Sequence, residues 1–232
     1  MSAFTPQKMS LARIRDRLTE GARQLALNLD KTALERLTAY FLELGKWNRK
    51  MNLVAEATEQ EIIDGHFLDS LALAPVLFSL PATGPLLEIG SGAGFPGLVL
   101  KATYPELQVV LVEPRQKRSS FLRHIIRKLH LSGIDVYSLH LVPDDEAQQH
   151  KIGRYPLITS RALTDIGSFL SLAAAYCETA GFVLCMKGRK ATEEMNQWQK
   201  IHPDSPFTLV VRHSYILPFS EIQRHILVFR RT

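Results

Sequence analysis

The chain has 232 residues, 46% of them hydrophobic and 22% charged, which is the composition of a globular protein and excludes a disordered or fibrous one. Its formal net charge of +5 is compatible with a nucleic-acid partner, although many enzymes without one are equally basic. Two cysteines exclude a disulfide scaffold, and the absence of a signal-like or membrane-length apolar segment predicts a cytoplasmic protein without membrane contact.

The first third of the chain is predicted to be helical. In Lys31–Arg49, apolar side chains recur at helical spacing: Leu34, Leu37, Phe41 and Leu44. A second helix is predicted from Glu59 to Phe78, and the prolines and glycine of Pro81–Pro85 end it. We expect a helical cap over residues 1–65 and a second unit over residues 66–232.

Beyond residue 85, short apolar runs alternate with helical patterns. The predicted strands are Leu86–Gly90, Gln108–Glu113, Asp135–Leu139, Leu157–Ser160 and Phe182–Lys187. The predicted helices are Pro96–Thr103, Arg115–Leu131, Ile166–Cys177 and Ala191–Gln199. Such alternation is typical of βαβ units and a parallel sheet. The tail is predicted to add a hairpin with one antiparallel strand, which gives an α/β fold with a mostly parallel, seven-stranded sheet: Phe207–His213 and Arg224–Arg230.

A glycine-rich loop follows the first predicted strand. It reads Gly90-Ser91-Gly92-Ala93-Gly94-Phe95-Pro96-Gly97 and opens a helix, a setting in which glycines bring the backbone close to a ligand. Its last three glycines satisfy the G-x-G-x-x-G pattern of dinucleotide-binding folds, with Glu113 about twenty residues further on. Glu88, two residues before Gly90, instead suits the cationic amino group of a methionine moiety, because a carboxylate would repel a pyrophosphate. The pattern E-x-G-x-G-x-G therefore favours S-adenosylmethionine.

Charged residues lie where three predicted strands end, at the sheet edge where ligands bind in such folds. Glu113 can accept hydrogen bonds from both hydroxyls of a ribose, whichever cofactor is bound. Arg161 could anchor a methionine carboxylate, contact an RNA phosphate or orient a base, and Lys187 occupies a similar position. Arg161 and Lys187 are also the candidates for a direct part in the chemistry. An exposed charge or a surface ion pair is the alternative for each of the three.

A basic helix follows the second strand. Arg115–His130 contains six Lys and Arg residues and no acidic one. Its apolar stripe is Phe121, Leu122, Ile125, Ile126 and Leu129. Contact with phosphates would offset the mutual repulsion of its cations. We predict an RNA-binding face, with a solvated face as the alternative, formed by Lys117, Arg118, Arg123, Arg127 and Lys128.

Motifs that the sequence lacks limit which atom of a base can be the methyl acceptor. Enzymes that methylate exocyclic amines of bases often carry an Asn/Asp-Pro-Pro-Tyr/Phe stretch after the fourth strand, where this chain has Ser160-Arg161-Ala162. Methylation at C5 of a pyrimidine needs a thiolate, but Cys177 and Cys185 have the sequence surroundings of core residues. An acceptor with an available lone pair, such as guanine N7, needs alignment with the donor rather than a catalytic base.

Five segments, taken in order, resemble one family. They are Lys46–Leu53, His66–Ser70, Glu88–Gly97, Lys117–Arg123 and Ser160–Ala162. Together they resemble the RsmG family, also called glucose-inhibited division protein B, of bacterial 16S rRNA guanine-N7 methyltransferases, over about Lys31 to Gly188. The resemblance implies a class I, Rossmann-like methyltransferase fold and S-adenosylmethionine as methyl donor. It also implies methylation of guanine 527, in the 530 loop of the small ribosomal subunit.

The resemblance also assigns the donor site. By motif position, Gly90, Phe95 and Arg161 would contact S-adenosylmethionine, and we assign Glu88, Gly92, Gly94 and Glu113 to the same site. A pair near the adenine falls at Leu141-Val142, where the glutamate of the family is missing, and Asp144 or Asp145 could replace it only with a reshaped loop. Glu88 and Glu113 stand where the family more often has Asp, which keeps the charge with a longer reach.

Two other functions stay open from the residues alone. One is an NAD(P)-dependent oxidoreductase that uses the same glycine loop, and the other is a non-catalytic RNA-binding module. We expect 16S rRNA or the small ribosomal subunit as partner, a monomeric protein and no metal, since none of the eight histidines has metal-ligand spacing.

Overall fold

A computed structural model describes residues 9–55 and 57–232. The amino-terminal helices are α1 (Leu11–Gln24), α2 (Lys31–Met51), α3 (Glu59–Ile62), α4 (Asp69–Leu71) and α5 (Leu73–Ser79), with a π-helical turn at Ile63–Leu68. The later helices are α6 (Gly97–Thr103), α7 (Gln116–Lys128), α8 (Glu146–Ile152), α9 (Ile166–Ala174) and α10 (Ala191–Ile201). The strands are β1 (Leu86–Ile89), β2 (Val109–Val112), β3 (Ile134–Tyr137), β4 (Tyr155–Arg161), β5 (Cys177–Lys187), β6 (Phe207–Ile216) and β7 (Gln223–Arg231).

The strands of the described chain form one sheet in the order β3-β2-β1-β4-β5-β7-β6. Strands β1 to β5 pair in parallel, and β7 runs antiparallel to β5 and to β6. The predicted α/β fold, the mostly parallel seven-stranded sheet and the carboxyl-terminal hairpin are confirmed. The strand order reverses between β1 and β4, which is where ligands bind in open α/β sheets.

Helices cover both faces of the sheet, because successive side chains of a strand point to opposite faces and the central strands place apolar ones on both. On one face, Val109 and Leu111 of β2 pack against the amino-terminal helices, α6 and α7. On the other face, Val110 and Val112 pack with residues of α8, α9 and α10. Strands β1 and β2 are buried on both faces and, apart from Glu88, apolar, as expected of central parallel strands.

The helical cap shares its hydrophobic core with the sheet. Leu37, Tyr40 and Phe67 of the amino-terminal helices are fully buried in the same cluster as Leu98 of α6 and Leu111 of β2. The π-helical turn also runs across residue 65, where the sequence predicted a boundary. The division into units 1–65 and 66–232 stays a prediction, and the shared core indicates how it can be tested.

Several predicted elements differ from those observed. The predicted helix from Glu59 to Phe78 is interrupted by the π-helical turn. The predicted helix Ile166–Cys177 ends at Ala174, because Cys177 already pairs with Tyr155 at the start of a longer β5. The sequence did not predict α8, because its polar sequence EAQQHKI has no apolar periodicity. The helix is instead started by Asp145, whose side chain caps its first turn.

The segment Glu59–Ser79 has the length and apolar composition of a membrane span. However, 67% of its most apolar stretch is buried inside the protein, packed against α1, α2 and the sheet. Such burial is that of a core helix.

Candidate functional site

A cavity of about 600 Å³ opens at the edge where β1, β2, β4 and β5 end. This volume lies within the roughly 300–1,000 Å³ of small-molecule sites. Of the residues predicted to bind a donor or to act in chemistry, the cavity is lined by Gly90, Gly92, Phe95, Glu113, Arg161 and Lys187. Among the described residues, four predicted donor contacts are outside this lining: Glu88, Gly94, Leu141 and Val142.

The glycine loop turns the chain sharply from β1 into α6. Gly90, Gly92 and Gly94 have φ values of 76°, 59° and 96°, a region that side-chain-bearing residues rarely adopt. A Cβ at Gly94 would lie 2.5 Å from Oη of Tyr40, whose hydroxyl donates to the carbonyl of Ala93. The loop is thus held by α2 on one side and presents its backbone to the cavity on the other.

Glu113 joins the glycine loop to the end of β2. Its Oε2 accepts a hydrogen bond from the backbone N–H of Gly92 at 2.8 Å, and its Oε1 accepts one from Arg115 at 2.9 Å. Each carboxylate oxygen keeps a second lone pair. The side chain is buried yet reaches the cavity, so it can receive hydroxyl donors from a ligand.

Glu88 lies beneath the loop rather than in the cavity. The alternation of β1 points its side chain to the face covered by α2 and α6, where it is fully buried. Its Oε2 accepts a hydrogen bond from Gly97 at 3.1 Å, and its Oε1 has no partner among the described residues. Burial raises the pKa of Glu88 to about 8, against the opposing effect of the Gly97 hydrogen bond. Its contact with a methionine amino group stays a prediction.

Arg161, at the end of β4, is held by the amino-terminal helices. Its Nη1 donates to the carbonyl of Gly65 at 2.8 Å and to Oδ2 of Asp69 at 3.0 Å, and its Nη2 lies 2.6 Å from Nδ1 of His66. Its guanidinium carbon lies 5.2 Å from the centre of the Phe95 ring. The π-helical turn places Gly65 and His66 in reach of this arginine, as such turns often do at functional sites.

His66 is neutral at physiological pH in this environment. Burial lowers its pKa to about 3, with further lowering by the charges of Arg161 and Arg224. The neutral ring can accept the Arg161 hydrogen bond at Nδ1, and it stacks on Phe95 with ring centres 4.9 Å apart.

The far side of the cavity is formed by β5 and the carboxyl-terminal hairpin. Lys187 donates to the carbonyl of Thr164 at 2.5 Å and forms an ion pair with Glu194 at 2.8 Å. Tyr215 of β6 and Arg224 of β7 are paired across the hairpin, and both line the cavity. Sequence reasoning did not find Tyr215, because no local pattern distinguishes it from other strand residues.

The predicted adenine pair has other contacts. Leu141 is buried in the core on the α8 side of the sheet, and the carbonyl of Val142 accepts the Tyr176 hydroxyl at 3.0 Å. Their assignment to the donor stays a prediction that the geometry of the cavity does not support.

The predicted RNA-binding residues of α7 lie in three different surroundings. Arg118 lines the cavity, and Lys117, Arg127 and Lys128 are exposed. Arg123 is instead directed to β3, where it donates to the carbonyl of Val136 at 2.9 Å and to Ser138 at 3.1 Å.

The cysteines are core residues, as predicted. Burial raises the pKa of Cys177 to about 11 and that of Cys185 to about 12, so neither is a thiolate at neutral pH. Within residues 9–55 and 57–232, no three His, Cys, Asp or Glu side chains come together as metal ligands.

Comparison with known proteins decides between the cofactor classes. The GidB family, described as rRNA small subunit methyltransferase G, matches residues 33–227. The chain is 42% identical over 214 residues to the ribosomal RNA small subunit methyltransferase G of Desulfotalea psychrophila, covering 92% of this chain and 96% of that protein. It is 35% identical to that of Myxococcus xanthus, covering 96% of this chain and all of that protein. The chain belongs to the rRNA small subunit methyltransferase G family.

Membership in the rRNA small subunit methyltransferase G family confirms the predicted enzyme class. The protein is an rRNA methyltransferase that uses S-adenosylmethionine, with small-subunit rRNA as its substrate, rather than an oxidoreductase or a non-catalytic module. Its residues fit this donor, because the glycine loop leaves backbone exposed in the cavity and Glu113 keeps acceptors for a ribose.

Solved structures support the fold alone. A methyltransferase from Pyrococcus furiosus has a TM-score of 0.54 at 14% identity, covering 84% of this chain and 97% of that one. A ribosomal protein L11 methylase from Lactobacillus delbrueckii subsp. bulgaricus has a TM-score of 0.53 at 10% identity, covering 72% and 79%. The class I methyltransferase fold is thereby confirmed.

Proposed function

We propose that the protein transfers the methyl group of S-adenosylmethionine to N7 of a guanine in 16S rRNA, the nucleotide at position 527 by family resemblance. The observation that carries the proposal is the glycine loop, which lines a cavity beside the Glu113 carboxylate in a chain of this family. We also propose that the protein is a cytoplasmic monomer.

The donor is proposed to lie across the ends of β2, β1 and β4. Glu113, at the end of β2, would accept the ribose hydroxyls, and Gly90, Gly92 and Phe95 would contact the rest of the donor from the loop. Arg161 would direct its cationic end toward the methionine carboxylate. Glu88 would support the loop from below through Gly97, and Gly94 would allow the close approach of Tyr40.

The chemistry needs alignment more than proton transfer. S-adenosylmethionine supplies a methyl group bonded to a positively charged sulfur. The N7 lone pair of the guanine forms the new carbon–nitrogen bond while the carbon–sulfur electron pair moves to sulfur, and no proton moves. Both candidates for direct action are held in ion pairs, Arg161 with Asp69 and Lys187 with Glu194. We therefore assign them positioning roles rather than the role of a general base.

The RNA is proposed to approach across the mouth of the cavity. Arg115 lines the cavity and Lys117 lies two residues further on in α7, whereas Arg189 and Lys190 directly follow the lining residue Gly188, and all four are exposed. These cations would contact phosphates and position the nucleotide, while base contacts inside the cavity would select it.

Nucleotide mapping tests the proposal. Unmodified small ribosomal subunits are incubated with the protein and S-adenosylmethionine labelled in the methyl group, and the modified nucleotide is located by mass spectrometry. We expect one 7-methylguanosine and tight binding of S-adenosylhomocysteine in calorimetry. A label on another atom or nucleotide, or binding of NAD(P)H alone, would contradict the proposal.

A further inference from the structure

The acceptor half of the cavity lies beyond the proposed donor. In the order of the sheet, β2, β1 and β4 are followed by β5, β7 and β6, so a donor over the first three leaves the last three for the acceptor. β7 runs antiparallel to β5, which brings the start of β7 and the end of β6 to the same edge as the end of β5. Tyr215, Arg224 and Met186 line this half.

A guanine must present its N7 edge inside this cavity, which requires the base to leave its stack in the RNA. Proteins that hold unstacked bases commonly receive them on an aromatic ring. The described cavity lining contains three aromatic side chains, Phe95, His66 and Tyr215.

Phe95 and His66 already have ring partners. Phe95 is stacked with Tyr40 at 5.8 Å and with His66 at 4.9 Å, and the Phe67 ring meets it edge-on at 5.3 Å. Phe95 is also only 5% exposed. His66 is committed to Phe95 on one face and to Arg161 at its Nδ1.

Tyr215 differs because it is partly exposed, lines the cavity and has a surface residue as its ring partner. Its hydroxyl donates to Oδ1 of Asp69 at 2.7 Å, which fixes the ring against the amino-terminal helices. Its neighbour along β6 is the exposed His213, with ring centres 6.1 Å apart and planes within 19°. The two rings form a row from the surface into the cavity, and Tyr215 is the inner one.

We propose that Tyr215 is the stacking platform for the acceptor guanine. This inference rests on the proposed function and adds a base-binding subsite to it. Arg224 pairs with Tyr215 across the hairpin, and its buried Nε has no hydrogen-bond acceptor among the described residues, at 3.7 Å from Asp69. The keto oxygen of guanine is an acceptor of the kind that this donor lacks, and its use leaves N7 free to receive the methyl group.

The test distinguishes the contribution of the Tyr215 ring from that of its hydroxyl. Methylation of unmodified small ribosomal subunits is measured for Tyr215→Leu and Tyr215→Phe, with S-adenosylhomocysteine affinity measured by calorimetry on the same samples. We expect Tyr215→Leu to raise KM for the RNA substrate about five- to 150-fold, the range of base–aromatic stacking. Tyr215→Phe keeps the ring and should raise KM several-fold less than Tyr215→Leu does, because the ring can still stack and only the hydrogen bond that orients it is lost. Phe78→Leu, at an exposed aromatic of α5 outside the cavity lining, is the matched control and should leave KM unchanged.

Three results would overturn the subsite. These are an unchanged KM for Tyr215→Leu, an equal loss for Tyr215→Phe, and a weakened S-adenosylhomocysteine affinity that places the ring in the donor half. Tyr215→Met, with an adaptable side chain, replaces the leucine variant if that variant does not fold. An inactive wild-type protein would instead refute the proposed function itself, so the two failures are distinguishable.

Discussion

At the scale of single residues, Glu88 makes the stability of the folded protein depend on pH. Its side chain is fully buried, and burial raises its pKa from the ordinary 4.5 to about 8. The folded protein therefore holds a proton that the unfolded chain releases. A carboxyl group with a raised pKa contributes full stability below about pH 4.5, and this contribution is lost as the pH rises toward 8.

We predict that Glu88→Gln removes this loss of folding stability with rising pH. Relative to the variant, the wild-type protein should lose up to about 1.4 kcal/mol of unfolding free energy per pH unit between roughly pH 5 and 8. Urea unfolding of both proteins across this range measures the difference. Glu35→Gln, at an exposed position of α2, serves as the control. Parallel pH profiles for wild type and Glu88→Gln would contradict a protonated Glu88.

At the scale of secondary-structure elements, α7 serves both the core and the surface. Phe121, Leu122 and Ile125 are buried against the sheet, as the apolar stripe predicted. Lys117, Arg127 and Lys128 remain exposed, whereas Arg123 donates a hydrogen bond to the carbonyl of Val136 in the edge strand β3. These exposed cations are available to phosphates without breaking an internal contact, whereas Arg123 is not.

We predict that exchanging Lys117, Arg127 and Lys128 for alanine weakens RNA binding and flattens its salt dependence. Each lost phosphate contact should reduce the slope of log affinity against log salt by about 0.7–0.9, because fewer counterions are released. Filter binding of 16S rRNA between about 50 and 200 mM salt gives the slope. Lys151→Ala with Lys200→Ala is the control, since α8 and α10 cover the opposite face of the sheet. An unchanged slope would remove α7 from the RNA interface.

At the scale of the whole molecule, the two tryptophans report on opposite faces of the sheet. Trp47 of α2 packs against Phe121 of α7 at 5.5 Å, on the face covered by the amino-terminal helices. Trp198 of α10 packs edge-on against Phe229 of β7 at 5.0 Å, on the other face. The sequence contains no further tryptophan.

We predict one cooperative unfolding transition for the cap and the sheet, because their buried side chains belong to one cluster. Trp47→Phe leaves fluorescence from the α10 side, and Trp198→Phe leaves it from the cap. Each variant is unfolded in urea and followed by its remaining tryptophan and by circular dichroism. The two probes should give coincident curves within each variant. A fluorescence change of Trp47 that precedes the loss of secondary structure would support separate units divided near residue 65.

Local sequence determined the strands, most helices and the glycine loop. The short segments Leu86–Ile89, in which only Glu88 is polar, and Val109–Val112 suffice for β1 and β2, and the periodicity of residues 116–128 suffices for α7, because burial on a sheet or a helix face imposes a repeat that a short window contains. Helix α8 lacks that repeat and was missed. The same local patterns located Glu113, Arg161 and Lys187, since the ends of parallel strands meet at one edge.

Only the tertiary structure decided which partners these residues have. Arg161 meets Asp69, 92 residues earlier, and Tyr215 meets the same carboxylate across 146 residues. The hydrogen bonds of Glu88 to α6 and of Arg123 to β3 and the residue after it span only 9 to 15 residues, but they too depend on how separate elements pack. A periodic pattern reports which face of an element is buried, but a contact between distant side chains depends on how all the elements pack, and packing is a property of the folded chain as a whole.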